Sequence, residues 1–405
     1  MQASFCEAMQ KKRCLIITSD AGFGHRSAAL SVSKALEVLY PNQVDFLVTN
    51  PIQETNTPTV MKPIEKGYDR SVRFSPGLYR LSYEVSDSRL VSEVVEGALT
   101  LMLQRIMAET IRDFKPDVIL NTNEMFNTPI GKVLQDADRK IPSFTVVTDL
   151  ADVHSLWFSP EPDRFFIANE WVRVKALESG VPEEKLVISG IPVSPDFALN
   201  QVDKQALRGS LGLDPHRLTL LFVGSSRVSN LQDYLQALEN FTTPVQAVVI
   251  AGGNDDLYKS LIGSHYDFPV EVRNFEQNVP QWMMASDVLV TKAGGLIVSE
   301  GLAAGLPILL IDYLPGQEEG NVRYLLSHQA GALVQNVGEF RAMTAYWLQE
   351  DGLRLNQVAR ASAGLGHPEA ALEVAKAMWD AVIPQQEPKL LPPKAGGPFQ
   401  FLSKS

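Results

Sequence analysis

The fold class this sequence predicts is α/β, built as two doubly wound, Rossmann-like domains facing a cleft, and three observations predict it. Short apolar runs rich in β-branched residues alternate with stretches of helical periodicity, the rhythm of βα units. That rhythm stops at a polar stretch, 200–215, and restarts at Leu218. At 405 residues, 45% hydrophobic and 20% charged, the chain is long enough for two cores and too apolar for disorder. The division expected is a first domain over 1–200, a second over 201–366, a terminal helix within 367–388 and a disordered, Pro- and Gly-rich tail at 389–405.

In the first half, residues 13–18 read as a strand and 20–25 as a glycine turn, followed by a helix over 26–39 with Ala28, Ala29, Val32, Ala35, Leu36 and Leu39 at helical spacing. His25, beside Gly24 at the mouth of that turn, reads either as a helix-cap residue or as a base. An imidazole titrates near neutrality and can take a proton from a hydroxyl. Residues 44–48 form a second strand. Residues 62–83 then set five Lys and Arg against two carboxylates, with Tyr68, Phe74, Tyr79 and Tyr83 interleaved. Cations for anionic headgroups and rings for the water boundary suit a membrane surface, and a solvated loop packed by its tyrosines is the other reading. A long helix is expected over 90–114. Strands are expected at 117–121, 144–148, 165–168 and 186–189. The loop beyond 148 carries Asp149, His154 and Trp157 where open α/β sheets bind ligands. Its tryptophan reads as a stacking platform or an acyl-chain contact.

In the second half, strands are expected at 218–224, 245–251, 270–274, 288–291 and 307–312. The stretch 291–321 is the most informative. Gly294 and Gly295 permit a tight turn and close approach to the backbone. The helix opening at Leu296 directs its free N–H groups and positive dipole end outward, which suits a phosphate. Glu300 stands near that end, and Gln317, Glu318 and Asn321 follow the next strand. Phosphate, ribose and sugar hydroxyls would need these groups in this order, so a nucleotide-sugar site is expected beside the plainer reading of an ordinary βαβ unit. After Gly224, Ser225 and Ser226 can donate to a diphosphate and Arg227 can neutralise it without a metal. Asp255-Asp256 reads as helix capping rather than as a metal site.

From Lys292 to Glu300, through Gly305-Leu306-Pro307, Asp312-Tyr313 and 315–321, the chain resembles the monogalactosyldiacylglycerol synthase family and the related processive diacylglycerol glucosyltransferases, inverting enzymes of the GT-B fold. His25-Arg26-Ser27, Thr148-Asp149, His154 with Trp157, and Gly190-Ile191-Pro192-Val193 also match. The resemblance implies that Glu300 holds the ribose of a uridine diphosphate (UDP) sugar and that Gln317, Glu318 and Asn321 meet the hexose. Gly224, Ser225, Arg227, Lys292, Gly294, Gly295 and Leu296 would then hold the diphosphate, with Phe275 and Val279 walling the base. It implies His25 as the base, and Gly24, Asp149, His154, Trp157, Tyr68 and Tyr79 toward a lipid acceptor. It also implies a terminal helix crossing back to the first domain. The chain departs from the family at Phe23, at Gly295 (proline in plant-type enzymes), at Ser155 and Leu156, at Asn123-Glu124 (often His-Pro), and in the Ser225–Arg227 loop, which has fewer glycines.

A net charge of −11 argues against general nucleic-acid binding. No apolar run approaches the ~20 residues needed to span a bilayer. The start has no signal-peptide core, and Cys6 and Cys14 stand without metal or disulfide spacing. The expectation is an enzyme peripheral to the cytosolic face of a membrane. It would move galactose or glucose from a UDP-hexose to diacylglycerol or a related lipid, with no metal and no cofactor beyond the donor. The rivals are a transferase for another lipid, isoprenoid or soluble acceptor, and a non-catalytic binder of nucleotide sugar or lipid.

Overall fold

The computed structural model describes residues 11–20, 23–53, 93–137, 140–200, 203–224 and 231–382. The basic, aromatic stretch 62–83, the loop 225–230 and the tail 389–405 lie outside the described residues.

Two six-stranded sheets form, each parallel throughout. The first holds β1 (Lys12–Ile17), β2 (Val44–Thr49), β3 (Val118–Asn121), β4 (Ser143–Val146), β5 (Arg164–Ile167) and β6 (Leu186–Ile188), in the order β2-β1-β3-β4-β5-β6. The second holds β7 (Leu218–Val223), β8 (Val245–Ile250), β9 (Val270–Arg273), β10 (Val288–Lys292), β11 (Ile308–Asp312) and β12 (Gly331–Leu333), in the order β12-β11-β10-β7-β8-β9. Helices cover both faces, so central strands such as β3, β4 and β8 are buried at every residue, their few polar side chains (Asn121, Ser143, Thr145 and Gln246) included. The strand β12 is absent from the sequence reading, which gives this half five strands. It spans only three residues, starts on glycine and lacks a β-branched run.

Strand order reverses between β1 and β3 in the first sheet and between β7 and β10 in the second. Ligands of open α/β sheets bind outside the carboxyl ends of the strands at such points. The segments following β1 and β3 bring in His25, in the first turn of the next helix, and Glu124, in a 3-10 turn, while Gly224 and Gly294 stand just past β7 and β10.

The two halves meet over an apolar seam. Leu150, Val153 and Trp157 share one buried cluster with Leu289, Val298 and Tyr324. Trp171 packs edge-on to Tyr324 at 5.3 Å between centroids, and Arg323 reaches Asp152 at 2.9 Å. After helix Gln349–Leu365, the helix Ala370–Ala381 lies on the first sheet. Its Ala371, Val374, Ala375 and Met378 pack with Ile16, Val32 and Leu36, and Trp379 stacks on Tyr40 at 4.0 Å. Among the described residues, no helix is long and apolar enough to cross a membrane.

Candidate active site

On the first sheet, helix Phe23–Leu39 begins earlier than its periodicity predicts and takes Gly24 and His25 into its first turn. The His25 carbonyl accepts from Thr122 Oγ1 at 3.1 Å, and its Nδ1 lies 2.7 Å from Thr148 Oγ1. The Trp157 ring stands 6.0 Å from the imidazole. Enclosure lowers the His25 pKa below that of an ordinary imidazole, and the nearby Asp149 carboxylate opposes the shift. The ring is therefore neutral near pH 7, as a proton acceptor must be. In the tautomer that donates Nδ1–H to Thr148, Nε2 is left to accept.

Asp149 is pushed up to about 6, by burial first and then by the charge of Glu124. His25 and the Trp157 indole N–H, donated to Asp149 Oδ2 at 2.8 Å, pull the other way. Trp157 itself differs from the expected ligand platform. It is 1% exposed, because its indole is spent holding Asp149 while its ring fills the seam. His154 is also buried, and its Nδ1 accepts from Leu156 N as a cap for the 3-10 turn Ser155–Trp157. Tyr68 and Tyr79 lie outside the described residues.

On the second sheet, β10 ends at Lys292 and helix Gly295–Ala303 begins with Gly294 as N-cap. No side chain caps this helix and none of its first-turn residues is acidic, so its dipole end is open. Lys292 forms an ion pair with Glu318 at that mouth, and a Cβ placed on Gly294 would lie 3.1 Å from the ammonium. The second oxygen of Glu318 accepts from Leu314 N at 2.9 Å. Asn321 donates to Ala293 O at 2.8 Å, holding the turn from behind. Leu296 and Val279 are half-buried on the seam, Gln317 is half-buried, Gly224 is buried against Ile250 and Leu257, and Phe275 is 65% exposed. Ser225 and Arg227 lie outside the described residues. The cap expected of Asp255-Asp256 is instead Asn254, which accepts from Leu257 N, while Asp255 accepts from Asn274.

Glu300 keeps partial exposure, and burial alone raises its pKa to about 7. Among the described residues, no hydrogen bond or ion pair holds its carboxyl group.

The two sides meet. Gly295 lies against the Thr148–Leu150 loop, where an added Cβ would stand 3.4 Å from Thr148 O and 3.6 Å from Leu150 N. Thr148 is the residue bonded to His25, so the imidazole and the helix mouth are separated by one residue of loop. Sequence reasoning passed over Thr148 and Glu124 as site groups. The signal for Glu124 was its place just past β3 at the switch point. Among the described residues, no group of three or more His, Cys, Asp or Glu is arranged to hold a metal ion.

Comparison with known proteins agrees with this architecture. The family model for monogalactosyldiacylglycerol (MGDG) synthase matches residues 25–193, and the glycosyltransferase family 28 C-terminal domain matches 218–363. Monogalactosyldiacylglycerol synthase 2, chloroplastic, of Arabidopsis thaliana is 29% identical over 91% of this chain and 81% of its own. The chloroplastic monogalactosyldiacylglycerol synthase of Spinacia oleracea is 27% identical over 91% and 72%. Among solved structures, MurG of Acinetobacter baumannii aligns with a TM-score of 0.57 at 14% identity, covering 92% of this chain and 100% of that one. The glycosyltransferase SnogD of Streptomyces nogalater aligns at 0.51 and 16%, over 92% and 100%. A co-structure of S. aureus MnaA with UDP aligns at 0.57 and 14%, over 93% and 99%. The fold is GT-B. With both halves matched in order by glycosyltransferase models and relatives aligned along nine-tenths of its length, the chain belongs to the monogalactosyldiacylglycerol synthase family.

Proposed function

We propose that this glycosyltransferase moves a hexose, galactose or glucose, from a UDP-sugar to the free hydroxyl of diacylglycerol with inversion, working from the cytosolic face of a membrane. The observation that carries the reading is the junction His25–Thr148–Gly295. It sets a neutral imidazole beside an open helix N-terminus across the cleft. His25 Nε2 takes the acceptor proton as the acceptor oxygen bonds to the anomeric carbon. The bond from that carbon to the diphosphate oxygen breaks, and UDP departs as an anion. The N–H groups at Gly294–Leu296 and the Lys292 ammonium, with Arg227, receive that charge. Glu300, unpartnered among the described residues, holds ribose hydroxyls, and Gln317 and Glu318 lie toward the hexose while Asn321, expected beside them, fixes the turn from behind. No metal or other cofactor enters these steps. The segment 62–83 supplies the membrane contact. The UDP seen with MnaA, a protein of the same fold, supports the choice of nucleotide.

The test is product identification. The protein is incubated with UDP-galactose or UDP-glucose and diacylglycerol in micelles, and the lipid fraction is analysed by mass spectrometry and by the anomeric proton coupling. A β-linked monohexosyl diacylglycerol is expected. An α-linked product contradicts inversion, and product formed only with non-lipid acceptors contradicts the acceptor.

A further inference from the structure

The segment that leaves β3 holds two parts of the first domain's site at once. Thr122 Oγ1 donates to the His25 carbonyl at 3.1 Å, and Asn127, at the start of helix Asn127–Gln135, donates its Nδ2 to the Trp157 carbonyl at 2.9 Å. The Asn127 amide has one orientation open to it. Its Oδ1 accepts from Asn121 Nδ2 and from Thr145 Oγ1, both at 2.6 Å, so its N–H groups are left for Trp157. Asn121, Asn127 and Thr145 are all buried. A buried amide is costly unless it is paired, and this one pairs at both ends. What it holds is short. Ser155–Trp157 is a single 3-10 turn, a geometry with weak internal bonds. Beyond it, the Trp157 indole donates to Asp149 Oδ2 at 2.8 Å, and its ring stands 6.0 Å from the His25 ring. A connected path therefore runs from the ends of β3 and β4, through Asn127 and Trp157, to Asp149.

We propose that Asn127 is a positioning residue for the transfer: by fixing the Trp157 backbone it keeps the indole N–H on Asp149, and so keeps a carboxylate beside the base. The inference rests on the reaction proposed above and deepens it. When His25 takes the acceptor proton its ring becomes a cation, and the Asp149 carboxylate is the charge that steadies it. That carboxylate is precarious. Burial first, and then the charge of Glu124, push Asp149 up to about 6, with Asp152 adding to the shift, while His25 and the indole N–H oppose it. Without the N–H, Asp149 would keep its proton to still higher pH. A hydrogen bond weakens steeply as its angle and distance drift, so the donor has to be held, and a three-residue turn does not hold it alone. No other charge takes over the role. Asp149 is the one that acts on the His25 ring, and Glu124 and Asp152 act through it. Arg26 is paired with Asp20 at 2.9 Å. On the facing helix Gly295–Ala303 the one ionisable residue is Glu300, itself raised to about 7. Lys376 and Asp380 of helix Ala370–Ala381 act on Tyr40, beyond the far end of the His25 helix.

The experiment compares wild type, Asn127→Leu, Asn127→Ala, Trp157→Phe and the double variant Asn127→Leu with Trp157→Phe, at saturating UDP-hexose and dioctanoylglycerol. The two changes at Asn127 remove the same tether, one keeping the volume and one leaving a cavity, so they should differ in Tm and not in chemistry. Both are expected to lower kcat roughly tenfold or more, the worth of one hydrogen bond to a charged group, with the KM for UDP-sugar within about twofold. Trp157→Phe lacks the indole N–H, so the double variant should fall no further than the lower of its two parents. Losses that multiply, losses that follow the Tm of each variant, or a donor KM that rises with them overturn the proposal, as does failure of both Asn127 variants to fold. A second reading needs no turnover. The imidazole signals are followed against pH by NMR, and His25 is identified by its absence from His25→Ala. The His25 pKa is expected to be lower in Asn127→Leu and in Trp157→Phe than in wild type, since Asp149 then carries less charge beside it. An unmoved His25, or one that rises toward the ordinary imidazole value as water enters, overturns the assignment. If wild type transfers no hexose, the reaction proposed above fails by itself, and the titration still decides whether Asn127 keeps Asp149 charged beside His25.

Discussion

His25 and Glu300 each carry a proposed role, and the pKa directions say how each would behave in it. His25 lies below the ordinary imidazole value, so it stays a competent base to lower pH than a free histidine would. Replacing it with alanine should cut kcat by about 10²–10⁴-fold, the usual worth of general-base catalysis, with the donor KM little changed. Turnover at saturating substrates reads this. Glu300 should weaken UDP binding roughly tenfold when changed to Gln, as measured by calorimetry. The same change should alter stability with a definite sign. The Glu300 pKa is raised in the folded state, from 4.5 to about 7, so between those values the native protein holds more protons than the unfolded chain. Stability contributed by the neutral form is thus lost as pH rises through that window. Glu300→Gln should flatten the fall of unfolding free energy between pH 5 and 7, by an amount on the order of 1–2 kcal/mol after allowing for partial exposure, as read by denaturant titration across that range. The places of His25 and Glu300, each on the helix that follows a strand and a glycine turn, were legible because each sits in a spaced motif. Glu124 was not, since a lone Glu after a strand carries no spacing. Nor was the burial of Trp157, because a tryptophan looks the same in sequence whether it faces a ligand or a core.

At the scale of elements, the strand–turn–helix at Gly294 shows why local chemistry is readable and long-range packing is not. The glycine turn, the open N-terminus and the following strand follow from residue types a few positions apart. The contact of Gly295 with the Thr148 loop does not, since it joins residues far apart in the chain. Gly294 has φ −69° and ψ 138°, the conformation favoured before proline, and Gly295 is the first helical residue, where proline is at home. Gly295→Pro should therefore fold normally and unfold about 0.5–1 kcal/mol harder, by denaturant titration. Gly320 behaves oppositely. A Cβ there would overlap the Asp152 carboxylate, so Gly320→Ala should displace Asp152, break its pair with Arg323 and lower Tm. The Asp152–Arg323 pair alone is largely exposed and should contribute under ~1 kcal/mol in a double-mutant cycle, so a larger loss in Gly320→Ala would measure the packing of the seam itself.

The whole molecule is two parallel sheets whose switch points confront each other, and this much was visible in the alternation of apolar runs and helices. The seam was not, because Leu150, Trp157, Val298 and Tyr324 meet only after both domains have formed. That arrangement makes the proposed reaction testable as a unit: the groups proposed for the donor on one half, the proposed base on the other, and one threonine between them. The most direct measurement is the rate of UDP release from UDP-hexose with and without diacylglycerol micelles, for wild type and His25→Ala. The account predicts release that depends on diacylglycerol in wild type and is lost by at least about a hundredfold in His25→Ala. UDP release that ignores the lipid, or that survives in His25→Ala, would contradict it.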